Sequence, residues 1–216
     1  MEKRSAMRIK VRRIVNICLA VMVAGAWLGM IFLGGGDLAQ RGIGSMKYFT
    51  VLSNLFCGIA AALWLVYERK DGSEKVERIK YIAAASVGLT FTVVMVFLGP
   101  LYGYPEMFAG ANLLLHLVVP ITAMAEIILL SDATYTRRDN NLAVIPPLIY
   151  GIVYVVNILI NGMGEWPNTN DWYLFFYWGY PIGILIYVVI AVVTWLLAFF
   201  MRKMQAKLKQ KRSSNE

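Results

Sequence analysis

Six long apolar runs, separated by short polar stretches, are the feature that most constrains this chain. They cover approximately residues 14–33, 48–67, 81–98, 109–130, 142–160 and 172–200. A helix needs about 20 apolar residues to cross a hydrocarbon core about 30 Å thick. Each run is close to that length or longer, so the sequence predicts an all-α integral membrane bundle of six transmembrane helices.

The composition leaves little room for a second kind of structure. Of the 216 residues, 59% are hydrophobic and only 16% are charged, which excludes an ordinary soluble domain. The six runs fill more than half of the chain, and the remainder is short loops and two basic tails. We therefore expect a single domain over residues 1–216, with any functional site between helices or in the loops.

The positive charges are distributed unevenly between the two sides of the predicted bundle. Of the 21 Lys and Arg residues, only Arg41 and Lys47 lie in the connection between the first and second runs, and none lies on the remaining connections of that side. The positive-inside rule then predicts that the N- and C-termini are both cytoplasmic. The net charge of +8 is thus explained by membrane orientation rather than by nucleic-acid binding, and the basic tail from Arg202 to Arg212 is expected near anionic lipid heads.

Metal, nucleotide and disulfide chemistry find little support in the sequence. Cys18 and Cys57 both fall in apolar runs, and we interpret them as small packing residues. One histidine and two isolated cysteines are too few ligands for a metal set. The glycines at 34–36 lack the following Lys-Ser/Thr of a phosphate-binding loop. No cofactor is therefore expected.

Polar residues within the runs indicate helix faces that turn toward the bundle interior or a wet cavity, because a polar group in hydrocarbon is costly without a partner. In the second run, Thr50, Ser53, Asn54 and Cys57 share one helix face. Similar stripes are Asn112, His116 and Pro120 in the fourth run, Tyr150, Tyr154, Asn157 and Asn161 in the fifth, and Tyr173, Tyr177 and Tyr180 in the sixth. These faces are expected to lie toward one another.

Thr50 and His116, the one histidine of the chain, are predicted at the same depth. Thr50 lies near the start of the second run and His116 about seven residues into the fourth, so both fall roughly 5–10 Å below the outer interface. Pro120 cannot donate a hydrogen bond to the His116 carbonyl, and a bend is expected there. A hydroxyl and an imidazole at one depth are two parts of a nucleophilic acyl-transfer site.

The residues alone leave structural roles open for these side chains. Thr50 is also compatible with bonding a carbonyl of the preceding turn, and His116 with packing between helices. Ser53 and Asn54 are expected to bond across helices, and the tyrosines to pack and hydrogen-bond. Glu126 lies too far below His116 to orient the imidazole and is expected to pair near the cytoplasmic end.

Three acids of the outer loops, Glu106, Glu165 and Asp171, are within reach of the predicted site. Any of them is a candidate for a carboxylate that orients the histidine. Acidic loop residues are mostly exposed, however, and we expect these three to be solvated.

Two segments resemble a known family. They are residues 47–55, Lys-Tyr-Phe-Thr-Val-Leu-Ser-Asn-Leu, and residues 114–120, Leu-Leu-His-Leu-Val-Val-Pro. Both resemble the androgen-induced and androgen-dependent TFPI-regulating membrane proteins, and the six-span layout is similar over nearly the whole chain. The first segment is most similar to the bacterial branch, which implies a bacterial cytoplasmic membrane. The cytoplasmic termini predicted from the charges put the site toward the outer side.

The resemblance implies a membrane threonine hydrolase that cleaves fatty acid esters of hydroxy fatty acids. By motif position the nucleophile is Thr50 and the base is His116. Further candidates for substrate or oxyanion contacts are Asn54, Ser53, Asn112, Asn157 and Tyr177. The expected partners are a lipid ester from the bilayer and membrane lipids.

Two other function classes remain open: a small multi-pass transporter or channel, and a non-catalytic lipid-binding membrane protein. A transport pathway predicts polar residues that continue to the cytoplasmic side. The inner halves of the second and fourth runs are instead mostly Ala, Leu, Val and Ile, apart from Glu126. We therefore expect a cavity that is closed below.

Overall fold

The computed structural model describes residues 2–32, 42–68, 73–165 and 168–214. All regular structure in these residues is helical, and six helices are long and apolar enough to cross a membrane. They are α1 (Glu2–Phe32), α2 (Phe49–Tyr67), α3 (Ser73–Tyr102), α4 (Ala111–Leu130), α5 (Arg137–Asn161) and α6 (Tyr180–Ser214). The prediction of an all-α chain with six candidate spans is confirmed, whereas Leu33, the glycines at 34–36 and Arg41 lie outside the described residues.

Three helices begin earlier than their apolar runs: α1 begins at Glu2, not at residue 14, and the other two are α3 and α5. α3 begins at Ser73, not at residue 81, because charged side chains of its first two turns find buried partners. α5 begins at Arg137, not at residue 142, because Thr136 and Asp139 form a capping box. The Thr136 N–H and hydroxyl reach the Asp139 carboxylate at 2.6 and 2.8 Å. The extensions of α3 and α5 are mostly polar, and hydropathy alone does not assign such residues to a span.

α6 begins later than predicted, at Tyr180 and not at residue 172. The intervening residues form turns, and Gly179 has a φ of +92°, a conformation that ends the preceding turn and favours glycine. Pro181 then occupies the first turn of the helix, where its missing N–H is not needed. Residues 172–179 are therefore a loop folded against the bundle.

Ion pairs and hydrogen bonds show which helix termini lie together. Arg12 near the start of α1 contacts Glu77 of α3 and Glu126 of α4, while Gln205 of α6 bonds the Ser131 carbonyl after α4. This group of helix termini is called the Arg12 end. The opposite termini form the Thr50 end.

The helices are packed unequally. Small residues let α1, α2 and α3 approach closely: a Cβ on Gly58 would lie 2.8 Å from a Val23 methyl carbon, and Ala85 of α3 is fully buried. In contrast, Ile149 and Val153 on the second half of α5 are 57% and 61% exposed. An apolar groove of about 410 Å³ remains between α2 and α5.

Candidate active site

Thr50 is the second residue of α2, half-buried at the Thr50 end of the bundle. Hydroxyls in the spans commonly bond the carbonyl four residues earlier, as Ser86, Thr92 and Thr194 do at 3.0, 2.9 and 2.7 Å. The Thr50 hydroxyl makes no hydrogen bond to any residue that the structure describes. Its carbonyl oxygen accepts a bond from Asn54, so the backbone is held while the hydroxyl stays available.

His116 lies in a π-helical turn, Leu114–Val118, that interrupts α4. Pro120 has no N–H to offer the His116 carbonyl, and the Val119 N–H bonds the Leu114 carbonyl, five residues back. A π-turn therefore precedes Pro120, while the bend expected at this proline stays a prediction. Such turns are frequent at functional sites.

The His116 ring is buried, with 7% of the residue exposed, and its orientation is fixed by one hydrogen bond. Nδ1 lies 2.7 Å from the Met107 carbonyl oxygen. Because a carbonyl only accepts, Nδ1 carries the proton and the lone pair of a neutral ring lies on Nε2. Within the described residues Nε2 has no hydrogen-bond partner. The ring thus has the tautomer that a general base needs.

Asn54 connects the two elements. It is fully buried, and its amide nitrogen donates to the Thr50 carbonyl at 2.8 Å and to the Leu115 carbonyl at 3.0 Å. The first turn of α2 is thereby bonded to the turn that carries His116. Both amide protons are used, so Asn54 has none left for an oxyanion. Its side-chain oxygen is buried and has no donor among the described residues.

The remaining predicted site residues divide between the interior and the surface. Ser53 is buried and bonds the Thr50 carbonyl and the Thr90 hydroxyl at 3.2 and 3.0 Å, as expected for a contact across helices. Asn112 is buried one turn before His116, and Asn157 lines the groove, its oxygen accepting a bond from Asn161. Tyr177 is 71% exposed and lies in the loop before α6 rather than within a span.

Thr50 and His116 belong to the same end of the bundle, but no hydrogen bond joins their side chains in the described residues. Their connection runs through Asn54. Hydrogen bonds between a nucleophile and its base are often long in the resting enzyme and tighten in the substrate complex. The groove between α2 and α5 is lined by Ser53 and Asn157 of the predicted set, and neither Thr50 nor His116 lines it.

Tyr173 contacts the start of α2, a role that its place in a tyrosine stripe did not reveal. Its hydroxyl accepts a hydrogen bond from the Phe49 N–H at 2.9 Å, and the Thr50 N–H faces the same oxygen. Burial raises the pKa of Tyr173 to about 12, so the phenol is neutral at physiological pH. A residue of the loop before α6 thus caps the helix that presents Thr50.

Asp171 holds that loop in place. The prediction of a solvated acid is wrong for Asp171, which is 3% exposed, because three donors satisfy its carboxylate. They are the Tyr154 hydroxyl at 2.6 Å and the N–H groups of Phe175 and Phe176 at 2.9 and 3.0 Å. Glu106 and Glu165 are exposed, as expected.

The Arg12 end contains a group of four charged residues, three of them buried and one, Glu77, half-buried, that the sequence did not predict to lie together. Arg12 binds Glu77 through two nitrogens, at 2.5 and 2.8 Å, and also pairs with Glu126. The Lys80 ammonium lies 2.8 Å from Glu126 Oε1, the oxygen that also pairs with Arg12. The group has no net charge, and the Arg12 guanidinium lies over the Trp64 ring at 4.5 Å. The expected pairing of Glu126 away from His116 is confirmed.

These four side chains join several helices at one point, which we call the charge cluster: Arg12, Glu77, Lys80 and Glu126. The one sequence pattern that pointed to the cluster was the spacing of Glu77 and Lys80, which lie one turn apart at the start of a helix. Along the chain, Arg12 lies 65 residues from Glu77 and 114 residues from Glu126. Spacing within a helix could therefore not identify them.

Comparison with protein-family models, with curated proteins and with solved structures found no match to this chain.

Proposed function

We propose that this chain is an intramembrane lipid ester hydrolase in which Thr50 is the nucleophile and His116 is the general base. The observation that carries the proposal is the double hydrogen bond from Asn54, which holds the turn of Thr50 against the turn of His116. An unbonded hydroxyl and an imidazole with a free Nε2 are the two groups that acyl transfer requires. The proposed substrate class is the one that the family resemblance implies, fatty acid esters of hydroxy fatty acids.

The reaction would proceed in two halves. Thr50 Oγ1 attacks the ester carbonyl carbon, and its proton moves to His116 Nε2. Collapse of the tetrahedral intermediate breaks the ester C–O bond, and the leaving alkoxide takes the proton from Nε2. Water then attacks the acyl-threonine with His116 again as the base, and a carboxylic acid leaves. The Nδ1–H bond to Met107 would steady the imidazolium that forms.

The start of α2 is the best candidate for stabilising the oxyanion. Thr50 is at the positive end of the helix dipole, and its N–H faces the Tyr173 hydroxyl rather than a backbone carbonyl, so a substrate oxyanion would take the place of that hydroxyl. Backbone N–H groups of this kind commonly stabilise tetrahedral intermediates. This assignment replaces Asn54, whose amide protons are already used.

The test uses purified protein, a fluorophosphonate probe and a panel of lipid esters. We expect Thr50→Ala to abolish both hydrolysis and probe labelling, and His116→Ala to abolish hydrolysis. Thr122→Ala is the matched control, because Thr122 is a half-buried threonine of α4 whose hydroxyl makes no hydrogen bond among the described residues. It should keep wild-type activity.

Two outcomes would contradict the proposal. Unchanged hydrolysis in well-folded Thr50→Ala and His116→Ala proteins would eliminate the mechanism and favour a non-catalytic lipid-binding protein. Normal labelling of Thr50→Ala would assign the nucleophile to another residue, and Ser53→Ala would be the next variant to label.

One observation favours transport as the second candidate. The charge cluster places buried polar groups at the Arg12 end as well as at the Thr50 end. A pathway across the membrane requires polar groups at both ends. Between the cluster and the Thr50 end, however, Ala61, Val119 and Ala123 are at most 2% exposed and form a closed apolar layer. Solute or ion flux in proteoliposomes that disappears in Glu126→Gln, with hydrolysis absent, would establish this alternative.

A further inference from the structure

The groove between α2 and α5 is a site of its own. Its volume is about 410 Å³, within the range of about 300–1,000 Å³ that is usual for small-molecule sites. Most of its wall is apolar, with Leu52 and Phe56 on α2 and Ile149 and Val153 on α5. Since Ile149 and Val153 are also more than half exposed, the groove opens sideways, toward the surface that lipid would cover.

The length of the groove corresponds to one leaflet. It extends along α5 from Pro146 to Asn157, which is about 17 Å at 1.5 Å per residue. Half of a hydrocarbon core about 30 Å thick is about 15 Å. An acyl chain whose head group lies at the membrane surface would therefore fit the groove along its length.

The mouth of the groove carries an unpaired positive charge. The Lys47 ammonium lies between two aromatic rings, 5.2 Å from the Tyr48 ring and 5.3 Å from the Trp172 ring. No carboxylate of the described residues lies within 4 Å of it. Asp171, beside Trp172 in the sequence, already accepts three hydrogen bonds. The three N–H donors of Lys47 are thus free to bind an anion at the edge of the groove.

The backbone at the mouth is held rigidly. The Lys47 carbonyl accepts a hydrogen bond from the Tyr150 hydroxyl at 2.7 Å, and that hydroxyl accepts one from the Trp172 indole at 3.0 Å. The bonds connect the start of α2, the middle of α5 and the loop before α6. The backbone of Lys47 is therefore held beside the groove by α5 and by the loop before α6.

The charge of the lipid head group must decide which lipid occupies the groove. Moving an acyl chain from the bilayer into an apolar groove gains no hydrophobic free energy, because lipid tails are already apolar. Selectivity then depends on the head group that meets Lys47. An anionic phospholipid can place one acyl chain in the groove and leave the other in the bilayer. It then suits both the sideways opening of the groove and the positive charge of Lys47.

We propose that this groove binds an anionic phospholipid of the leaflet at the Thr50 end, with one acyl chain between α2 and α5 and the phosphate at Lys47. The site is independent of hydrolysis. Binding can therefore be measured on Thr50→Ala as well as on the wild type, so that failure of the proposed enzyme activity leaves this proposal intact.

The experiment counts lipid adducts by native mass spectrometry after release from detergent containing phosphatidylglycerol or phosphatidylcholine. We expect the full-length protein to retain phosphatidylglycerol about five-fold more strongly, the preference that one lysine near a membrane surface supplies. Lys47→Gln should lose the preference, and Lys47→Arg should keep it.

A pair of neighbouring variants tests the groove itself. Val153→Trp fills the groove and should reduce phosphatidylglycerol binding, whereas Ile152→Trp, at an equally exposed position of α5 outside the groove lining, should not. Equal retention of both lipids, or equal effects of both tryptophans, would overturn the proposal. Lys47-dependent retention of palmitate without phosphatidylglycerol would also overturn it, by assigning the site to a single-chain carboxylate.

Discussion

The two ends of the bundle use polar residues in opposite ways. At the Arg12 end, each charge of the charge cluster has an opposite charge in contact, and the cluster bonds α1, α3 and α4 together, with Glu126 Oε2 its one buried atom that lacks a partner among the described residues. At the Thr50 end, the Thr50 hydroxyl and His116 Nε2 have no partners in the described residues, and the Asn54 oxygen is buried without a donor. Paired polar groups stabilise a fold, while unpaired ones are available to a ligand.

This difference between the two ends indicates which of them is the better candidate for a functional site. Ionisable residues within spans are functional candidates by default, and Arg12, Glu77, Lys80 and Glu126 are more conspicuous than a threonine and a histidine. Their mutual pairing nevertheless marks them first as a structural junction. The less charged end, with its groove and its unbonded groups, is where we place the chemistry.

The largest expected effect is on the charge cluster. Arg12→Met leaves the buried Glu126 and the half-buried Glu77 without their shared cation, and breaking a buried pair in this way costs about 3–5 kcal/mol. We expect a large fall in the thermal midpoint of purified protein in detergent. Lys10→Met, on the exposed side of the same helix, should change stability by less than about 0.5 kcal/mol. Equal midpoints for the two variants would remove the structural role of the cluster.

Among the described residues of the Thr50 end, Asp171 is the one acid with several hydrogen bonds, so its replacement sharpens the comparison. Asp171→Asn weakens the bonds from Tyr154, Phe175 and Phe176 and should destabilise the loop before α6 by about 1–3 kcal/mol. Hydrogen exchange should rise in residues 168–179 before it rises in α3. Asn168→Ala, in the same loop and exposed, provides the control; exchange that rises equally in both would contradict the assignment.

Tyr173→Phe removes a hydroxyl beside Thr50 and keeps the ring. If the hydroxyl positions the start of α2 for catalysis, kcat should fall about ten-fold, or about 1.4 kcal/mol, while KM for a lipid ester stays near the wild-type value. Tyr187→Phe is the matched control, since the Tyr187 hydroxyl is buried without a partner among the described residues. A stable Tyr173→Phe protein with wild-type kcat would exclude the role.

The smallest expected effect is the pH dependence of lipid binding at Lys47. Burial lowers the pKa of the Lys47 ammonium below its ordinary range. The charge is present below that pKa and is lost as the pH rises through it, so the roughly five-fold preference for phosphatidylglycerol should fade at alkaline pH. Lys47→Arg stays charged throughout and should keep the preference. An identical pH profile for both proteins would show that another group is responsible.

Parts of the candidate site were predictable because they depend on local pattern. The stripe of Thr50, Ser53 and Asn54 follows from helical periodicity, and a break in the regular hydrogen bonding before Pro120 follows from its missing N–H. The roles of Tyr173 and Asp171 were not predictable, since residues 172–179 were assigned to a helix. Their turns depend on a carboxylate that finds its donors only when the loop folds onto α5.

The sequence by itself determined the six apolar helices, since each run has the length and hydropathy to form one alone. It also set the bias of positive charge on which the proposed orientation depends. The tertiary structure decided which polar groups are paired: Arg12 meets Glu126 across 114 residues, while Thr50 keeps a free hydroxyl. Apolar runs depend on composition that is local in the chain, whereas a hydrogen bond or ion pair needs two groups that only packing brings together.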